Sequence, residues 1–296
     1  MNQDFLQNHN QISATKNKAG IFSWYGFVMP FQERINLIKQ AGFGATSLWW
    51  ENEDQPYPTK REDMPRLVRE AGLYLENIHV PFNDSDALWS EDDRAREVVV
   101  KNHLEWLQDC AQHQIPMMVM HLSDRSDSAT FWHQGLKSLK VLTRAAEELG
   151  VVIAVENTRH NDRVRYILET ISSDSLGFCF DSSHHLLTDR VSYKLLKDFG
   201  GRLAATHISD NDGLEDRHWL PGHGVIDWHG VSRAFPKVYS GCLTLEASPT
   251  KEERLGTPQA FLELAFQRVT AVGELIAGSR GSEIKYVKEG AQIECF

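Results

Sequence analysis

Eight short apolar runs recur along the chain, and each is followed by a segment whose apolar residues repeat at helical spacing. The runs do not alternate between apolar and polar residues, which is typical of strands buried on both faces, as in parallel sheets. Eight strand–helix repeats without a break in composition favour a closed (β/α)8 barrel over an open doubly wound sheet. The predicted strands cover residues 21–25, 45–50, 75–80, 117–122, 151–155, 176–180, 203–206 and 242–245.

The predicted domain organisation is therefore one α/β TIM barrel over residues 20–277, with a mobile N-terminal arm at 1–19 and a C-terminal tail at 278–296. A length of 296 residues and an apolar content of 41% suit a single barrel with a large core. The arm lacks the apolar segment of a signal peptide, and no run is long enough to span a membrane. The four cysteines form no C-x-x-C pair, so we expect reduced thiols and a cytoplasmic protein.

Six successive predicted strands, the third to the eighth, carry an acidic or imidazole side chain at or directly after their C-terminal end. In a TIM barrel these positions lie at the C-terminal face, where active sites are built. Several carboxylates in one partly enclosed mouth are costly unless a cation accompanies them. The pattern therefore predicts a divalent-metal site at the strand ends. The six residues are His79, His121, Glu156, Asp181, His207 and Glu246.

The candidate metal ligands are Glu156, Asp181, His207 and Glu246, which supply three carboxylates and one imidazole. This set suits Mn²⁺ or Mg²⁺, and Co²⁺ is also compatible with it. If His79 and His121 join the site, the larger share of nitrogen favours Zn²⁺. The number of ions, from one to three, stays open at this point.

A long loop after the seventh strand, HISDNDGLEDRHWLPGHGVIDW at 207–228, stands with VENT and FDSSH upstream. With them the chain resembles the xylose-isomerase-like TIM-barrel superfamily over about residues 20–277. That superfamily includes sugar isomerases, sugar epimerases and endonuclease IV. Its ketose 3-epimerase members imply one metal held by the four ligands named above, with Glu156 and Glu246 as the acid/base pair. In this resemblance, His184 and Arg217 match the residues that bind substrate oxygens.

The function implied is a divalent-metal-dependent isomerase or epimerase of a small sugar, sugar phosphate or polyol. A proton would be removed and returned next to a metal-chelated carbonyl. We expect His79 and His121 to contact the substrate, unless they bind further metal ions. The expected partner is a small molecule, with no membrane contact, and a homo-oligomer is compatible with the pattern.

The alternative is a multinuclear zinc phosphodiesterase or hydrolase resembling endonuclease IV, in which nine residues hold three zinc ions. The formal net charge of −10 and the acidic loops after the second and third strands disfavour a nucleic-acid substrate. This resemblance adds His79, His121, His184, Asp216 and His218 to the candidate metal ligands. The nine matching residues are His79, His121, Glu156, Asp181, His184, His207, Asp216, His218 and Glu246.

Overall fold

Eight parallel strands form a nearly closed barrel, which confirms the predicted single-domain TIM fold. The structure is a computed structural model, and it describes residues 18–123, 131–190 and 192–278. The strands lie in the order β7-β6-β5-β4-β3-β2-β1-β8. Their bounds are β1 Ala19–Phe22, β2 Ala45–Trp49, β3 Tyr74–His79, β4 Met117–His121, β5 Val152–Glu156, β6 Leu176–Asp181, β7 Leu203–His207 and β8 Leu243–Leu245.

Helices connect the strands around the outside, as the helical spacing predicted. None of the helices within the described ranges is long and apolar enough to cross a membrane. The predicted arm and tail lie almost entirely outside the described residues. The helices are α1 Phe31–Gln40, α2 Met64–Glu70, α3 Asp93–Gln112, α4 Trp132–Leu149, α5 Asn161–Thr170, α6 Ser182–Thr188, α7 Lys194–Phe199, α8 Trp228–Ala234 and α9 Pro258–Ile276, with short 3₁₀ turns at Ser85–Trp89, Gly200–Arg202 and Glu253–Leu255.

Local chemistry sets several of these helix ends. The Asp92 carboxylate accepts hydrogen bonds from the first backbone N–H groups of α3, at 2.9 Å from Arg94 N. Thr257 caps α9 in the same way, and Gly150 ends α4 in the left-handed conformation with φ 68°. Caps of this kind satisfy backbone groups that the helix itself leaves without partners.

A layer of small apolar side chains fills the barrel interior directly below the strand ends. Each member precedes a strand-end residue by two positions, and side chains two apart on a strand face the same side. The residues that end β4, β5, β6 and β7 therefore also point into the barrel, at its mouth. The layer consists of Val119, Ala154, Cys179 and Ala205, all fully buried.

The seam between β7 and β8 has a single bridge among the described residues, between Leu245 and Ile208, the residue that follows β7. Glu76 of β3 strengthens it from across the barrel. Its carboxyl group accepts hydrogen bonds from Thr244 Oγ1 at 2.5 Å and from Cys242 N at 3.1 Å. Glu246 follows β8 directly, so this contact helps to position it.

Glu76→Ala is expected to lower the free energy of unfolding by about 2–4 kcal/mol, because it leaves a cavity and two buried donors without partners. Burial raises the pKa of Glu76, although the hydrogen bonds from Thr244 and Cys242 oppose this shift. Glu76→Gln, which keeps the volume and one acceptor oxygen, should cost less than half as much. Chemical denaturation of both variants tests this. An equal cost for Gln and Ala would mean that an ionised carboxylate is needed.

Candidate metal centre and active site

The strand-end residues converge on one point at the barrel mouth. Ligand atoms of Glu156, Asp181, His207 and Glu246 all lie within 4.8 Å of one another. Ligand atoms of His79, His121 and Glu156 form a second group that meets the same 4.8 Å limit, and Glu156 belongs to both groups. The ligand atoms of each group therefore lie close enough together to bind one shared ion.

Glu156 stands at the centre of the cluster and is completely buried. Its two carboxylate oxygens contact four imidazoles, three through Oε2 and one through Oε1. His207 Nδ1 also lies 3.0 Å from Glu246 Oε2, so one imidazole joins the two glutamates. The contacts of Glu156 are His207 Nδ1 at 2.9 Å, His79 Nε2 at 3.2 Å, His121 Nε2 at 3.4 Å and His184 Nδ1 at 3.1 Å.

In the cluster without a metal ion, protons on the imidazoles compensate the negative charge of the carboxylates. Burial raises the pKa of Glu156, but His207, His121 and His184 together outweigh burial and hold it well below its ordinary value. Burial lowers the pKa of His207, yet Cys179 and the carboxylates of Glu156 and Glu246 raise it well above its ordinary value. For Asp181, burial is the stronger effect and raises the pKa to about 7, although His184 opposes it.

The donor set fits a divalent cation. Asp181 Oδ2 is buried and accepts no hydrogen bond from the described residues, which is costly without a positive partner. The carboxylate and imidazole donors match the preferences of Mn²⁺, Co²⁺ and Zn²⁺. Glu156, Asp181, His207 and Glu246 would hold the first ion, and a cation there would replace the protons of the imidazoles.

Metal binding is expected to release at least about one proton per ion, because His207 and Asp181 must lose protons to act as ligands. The apparent affinity for Mn²⁺ or Zn²⁺ should therefore fall as the pH is lowered from about 8 to about 6. Isothermal titration calorimetry of the metal-free protein in buffers of different ionisation enthalpy measures the proton count. A metal affinity that does not change with pH would contradict the protonation states given above.

The D-x-x-H spacing of Asp181 and His184 has a structural cause. Asp181 is the N-cap of α6, and its Oδ1 accepts a hydrogen bond from His184 N at 2.6 Å. The cap places the His184 ring beside Glu156 and 3.1 Å from Asp216 Oδ2. Asp216 in turn lies 3.0 Å from His218 Nε2. Three of the five additional ligands implied by the resemblance to endonuclease IV, His184, Asp216 and His218, are thus linked in a row beside Glu156.

Asp210, which the sequence analysis did not single out, organises the long loop after β7. Its buried carboxylate accepts hydrogen bonds from Gly222 N at 2.8 Å, Ile226 N at 3.1 Å and Trp228 Nε1 at 3.2 Å. A Cβ at Gly224 would lie 2.1 Å from Asn211 O, so only glycine fits there. The signal in the sequence was an acidic residue next to the strand end, in a loop with two nearby glycines.

A cavity of about 1030 Å³ opens above the cluster, along the strand ends from β3 to β7. Its lining includes His79, His121, Glu156 and Glu246 together with Arg159 and Arg190, two arginines that the sequence analysis missed. Each follows a segment that carries a site residue, VENT or FDSSH, and that position was the available signal.

Arg217 does not line this cavity. Its guanidinium contacts Asp212 Oδ2 at 2.9 Å and Glu215 Oε2 at 2.6 Å, and it lies over the Trp219 ring at 5.9 Å. The substrate-binding role predicted for Arg217 stays a prediction. It would require the side chain to leave both carboxylates.

The fold and the site define a TIM barrel that carries a candidate metal centre at the C-terminal ends of its strands. Comparison with known protein families gives the affiliation. The chain belongs to the xylose isomerase-like TIM barrel family, whose model matches residues 35–264.

Two relatives illustrate the sequence similarity. The chain is 27% identical to an uncharacterised protein of Sinorhizobium fredii over 245 residues, which cover 71% of this chain and 78% of the relative. It is 24% identical to a putative hydroxypyruvate isomerase of Streptomyces coelicolor over 248 residues, covering 75% and 86%.

Two solved structures share the fold. An L-ribulose 3-epimerase superimposes with a TM-score of 0.69 at 16% identity, covering 88% of this chain and 95% of the epimerase. A fusion of a xylose isomerase-like TIM barrel with 4-hydroxyphenylpyruvate dioxygenase superimposes with a TM-score of 0.73 at 18% identity. This chain is covered to 88% and spans 43% of the fusion protein.

Proposed function

We propose that the protein is a divalent-metal-dependent isomerase or epimerase of a small sugar or polyol. The observation that carries the proposal is the pairing of Glu156 and Glu246 around His207. Two glutamates from β5 and from the end of β8 approach the same imidazole nitrogen, at 2.9 and 3.0 Å. The putative hydroxypyruvate isomerase and the L-ribulose 3-epimerase among the similar proteins support this class of reaction.

A divalent cation bound by Glu156, Asp181, His207 and Glu246 would polarise a substrate carbonyl, which acidifies the C–H bond of the adjacent carbon that bears the hydroxyl group. Glu156 and Glu246 come from strands on different sides of the mouth, so one can remove the proton and the other can return it. His184, whose Nδ1 lies beside Glu156 and whose Nε2 lies 3.1 Å from Asp216 Oδ2, would donate a hydrogen bond to the substrate oxygen that gains negative charge. For this its Nε2–H must leave Asp216.

A second candidate, a multinuclear zinc phosphodiesterase, is favoured by one observation. His79, His121 and Glu156 form a second group of ligands, and Asp216 bridges His184 and His218. The loops around the mouth argue against a DNA substrate, because Glu51, Glu53 and Asp54 line its other side. A small phosphoester would remain as the substrate class.

Metal analysis separates the two candidates. We expect elemental analysis of protein purified without chelator to find about one Mn²⁺ or Co²⁺ per chain and to show that removal of the ion abolishes ketose isomerisation. About three Zn²⁺ per chain, together with hydrolysis of bis(p-nitrophenyl) phosphate, would support the phosphodiesterase instead. Protein that isomerises a ketose at full rate after dialysis against a chelator would contradict both.

A further inference from the structure

The barrel mouth contains two cavities that divide its circumference. The larger one, described above, lies over the ends of β3 to β7. A second cavity of about 610 Å³ lies over the ends of β8, β1 and β2. We call it the aromatic lobe and define it by Phe22, Trp24, Trp49 and Tyr57, with Glu51 and Asp54 at its rim. The two cavities have Glu246 and His218 in common.

The aromatic lobe begins directly at the proposed reacting centre. Glu246, the proposed acid/base residue, borders both cavities, so a substrate held at this carboxylate faces the lobe. Trp49 stands at the boundary, stacked on the ring of His79 with centroids 5.0 Å apart. A volume of about 610 Å³ lies within the range of roughly 300–1,000 Å³ that is typical of ligand pockets.

The lobe is lined by more acidic than basic side chains, with Glu51, Glu53, Asp54 and Glu246 against Arg34 and His218, which disfavours a negatively charged ligand. Arg34 is the one arginine or lysine among the described residues that line it. Its guanidinium is already paired with Glu53 and lies over the Trp24 ring at 5.2 Å. The exposed rings of Trp24 and Tyr57, flanked by carboxylates, suit an uncharged polyhydroxylated ring, because aromatic rings pack on its C–H face and carboxylates accept hydrogen bonds from its hydroxyl groups. The arginines lie in the other cavity, where Arg159 and Arg190 contribute to the lining.

We propose that the aromatic lobe binds an uncharged sugar ring that is attached to the reacting sugar. The substrate is then a neutral glycoside or disaccharide, and neither a free monosaccharide nor a sugar phosphate is the preferred ligand. This inference rests on the proposed function for the reacting end of the substrate only. The lobe itself would bind the attached ring whether or not the reacting end is turned over.

Three ketoses that differ only at O6 test the proposal: fructose, its 6-O-glucosyl derivative isomaltulose and fructose 6-phosphate. Calorimetric titration of the metal-loaded protein should give a Kd for isomaltulose at least about tenfold below that for fructose. Fructose 6-phosphate should bind more weakly than fructose. Lactulose, a fructose derivative that carries its second ring at O4, tests whether a ring attached at that position also strengthens binding. The proposal is overturned if neither disaccharide binds more tightly than fructose, or if fructose 6-phosphate binds best.

Two variants test whether the tighter binding of the disaccharide comes from contacts in the aromatic lobe. Trp24→Ala and Tyr57→Ala change side chains that are 46% and 43% exposed, so the barrel tolerates both. Each should bring the disaccharide Kd to within about twofold of the fructose value. Tyr74→Ala is the matched control, since Tyr74 is 37% exposed at the opposite end of the barrel. Equal loss in the control, or no loss in either lobe variant, contradicts the assignment.

Turnover separates this inference from the proposed function. If the disaccharide binds through Trp24 but no ketose or glycoside is isomerised, the lobe is confirmed and the proposed reaction fails. If fructose or another free ketose is isomerised and a second ring brings neither tighter binding nor a higher kcat/KM, the reaction stands and the lobe proposal is wrong.

Discussion

Glu246→Gln is expected to lower turnover by about 10³-fold or more while the barrel stays folded, because it removes both a proposed acid/base group and a candidate ligand. Burial raises the pKa of Glu246, but the charge and hydrogen bond of His207 and the charge of His218 together lower it to about 2, so the carboxylate is ionised throughout the working range. Glutamine keeps the shape of the side chain and cannot accept a proton. Single-turnover rates and bound metal should be measured on the same preparation.

The matched control for this substitution is Glu274→Gln, because Glu274 is an exposed glutamate on α9 at the N-terminal end of the barrel. It should keep the rate, the metal content and the melting temperature of the wild type. A Glu246→Gln variant with a wild-type rate would remove Glu246 from the mechanism. A variant that loses the rate but keeps its metal assigns the loss to proton transfer.

Glu156→Gln is expected to abolish metal binding and also to destabilise the metal-free protein, by roughly 3–5 kcal/mol at about pH 7. Four imidazoles surround Glu156, and its negative charge compensates the protons on His207 and His184. Without that charge, the buried imidazolium groups must lose their protons or the fold must loosen. Denaturant titration of chelator-treated protein measures the loss.

The pH dependence of this loss follows from the direction of the two pKa shifts. The pKa of Glu156 is lowered on folding, so its stabilisation is present above the ordinary carboxyl pKa and disappears as the pH falls through the lowered value. The pKa of His207 is raised on folding, so its stabilisation is present below its ordinary pKa and disappears as the pH rises through the raised value. The variant should therefore differ most from the wild type near neutral pH. An equal loss at all pH values would point to packing rather than charge.

The predicted strand bounds are accurate where the same residues are both buried and paired with a neighbouring strand. The predicted strands at 117–122, 151–155 and 176–180 match β4, β5 and β6 to within a residue. The first strand was predicted at 21–25 but lies at Ala19–Phe22. Tyr25 is fully buried, but in the loop after β1. An apolar run indicates that its residues are buried, but it does not distinguish a paired strand from a buried loop.

The order of acidic and imidazole residues along the chain determined the membership of the candidate metal centre. Strand periodicity places such residues at one end of a parallel barrel, whatever the detailed packing. Glu156, Asp181, His207 and Glu246 could therefore be named before any distance was known.

Only the tertiary structure decided which groups touch. It made Glu156 the common neighbour of four imidazoles, turned Arg217 toward Asp212 and Glu215, and placed Glu76 across the barrel against β8. It also divided the mouth into two cavities, one with Arg159 and Arg190 in its lining and one lined by aromatic and acidic side chains. These contacts join residues up to 168 positions apart in the chain. They depend on barrel closure and loop packing, and local propensity and residue spacing carry no information about either.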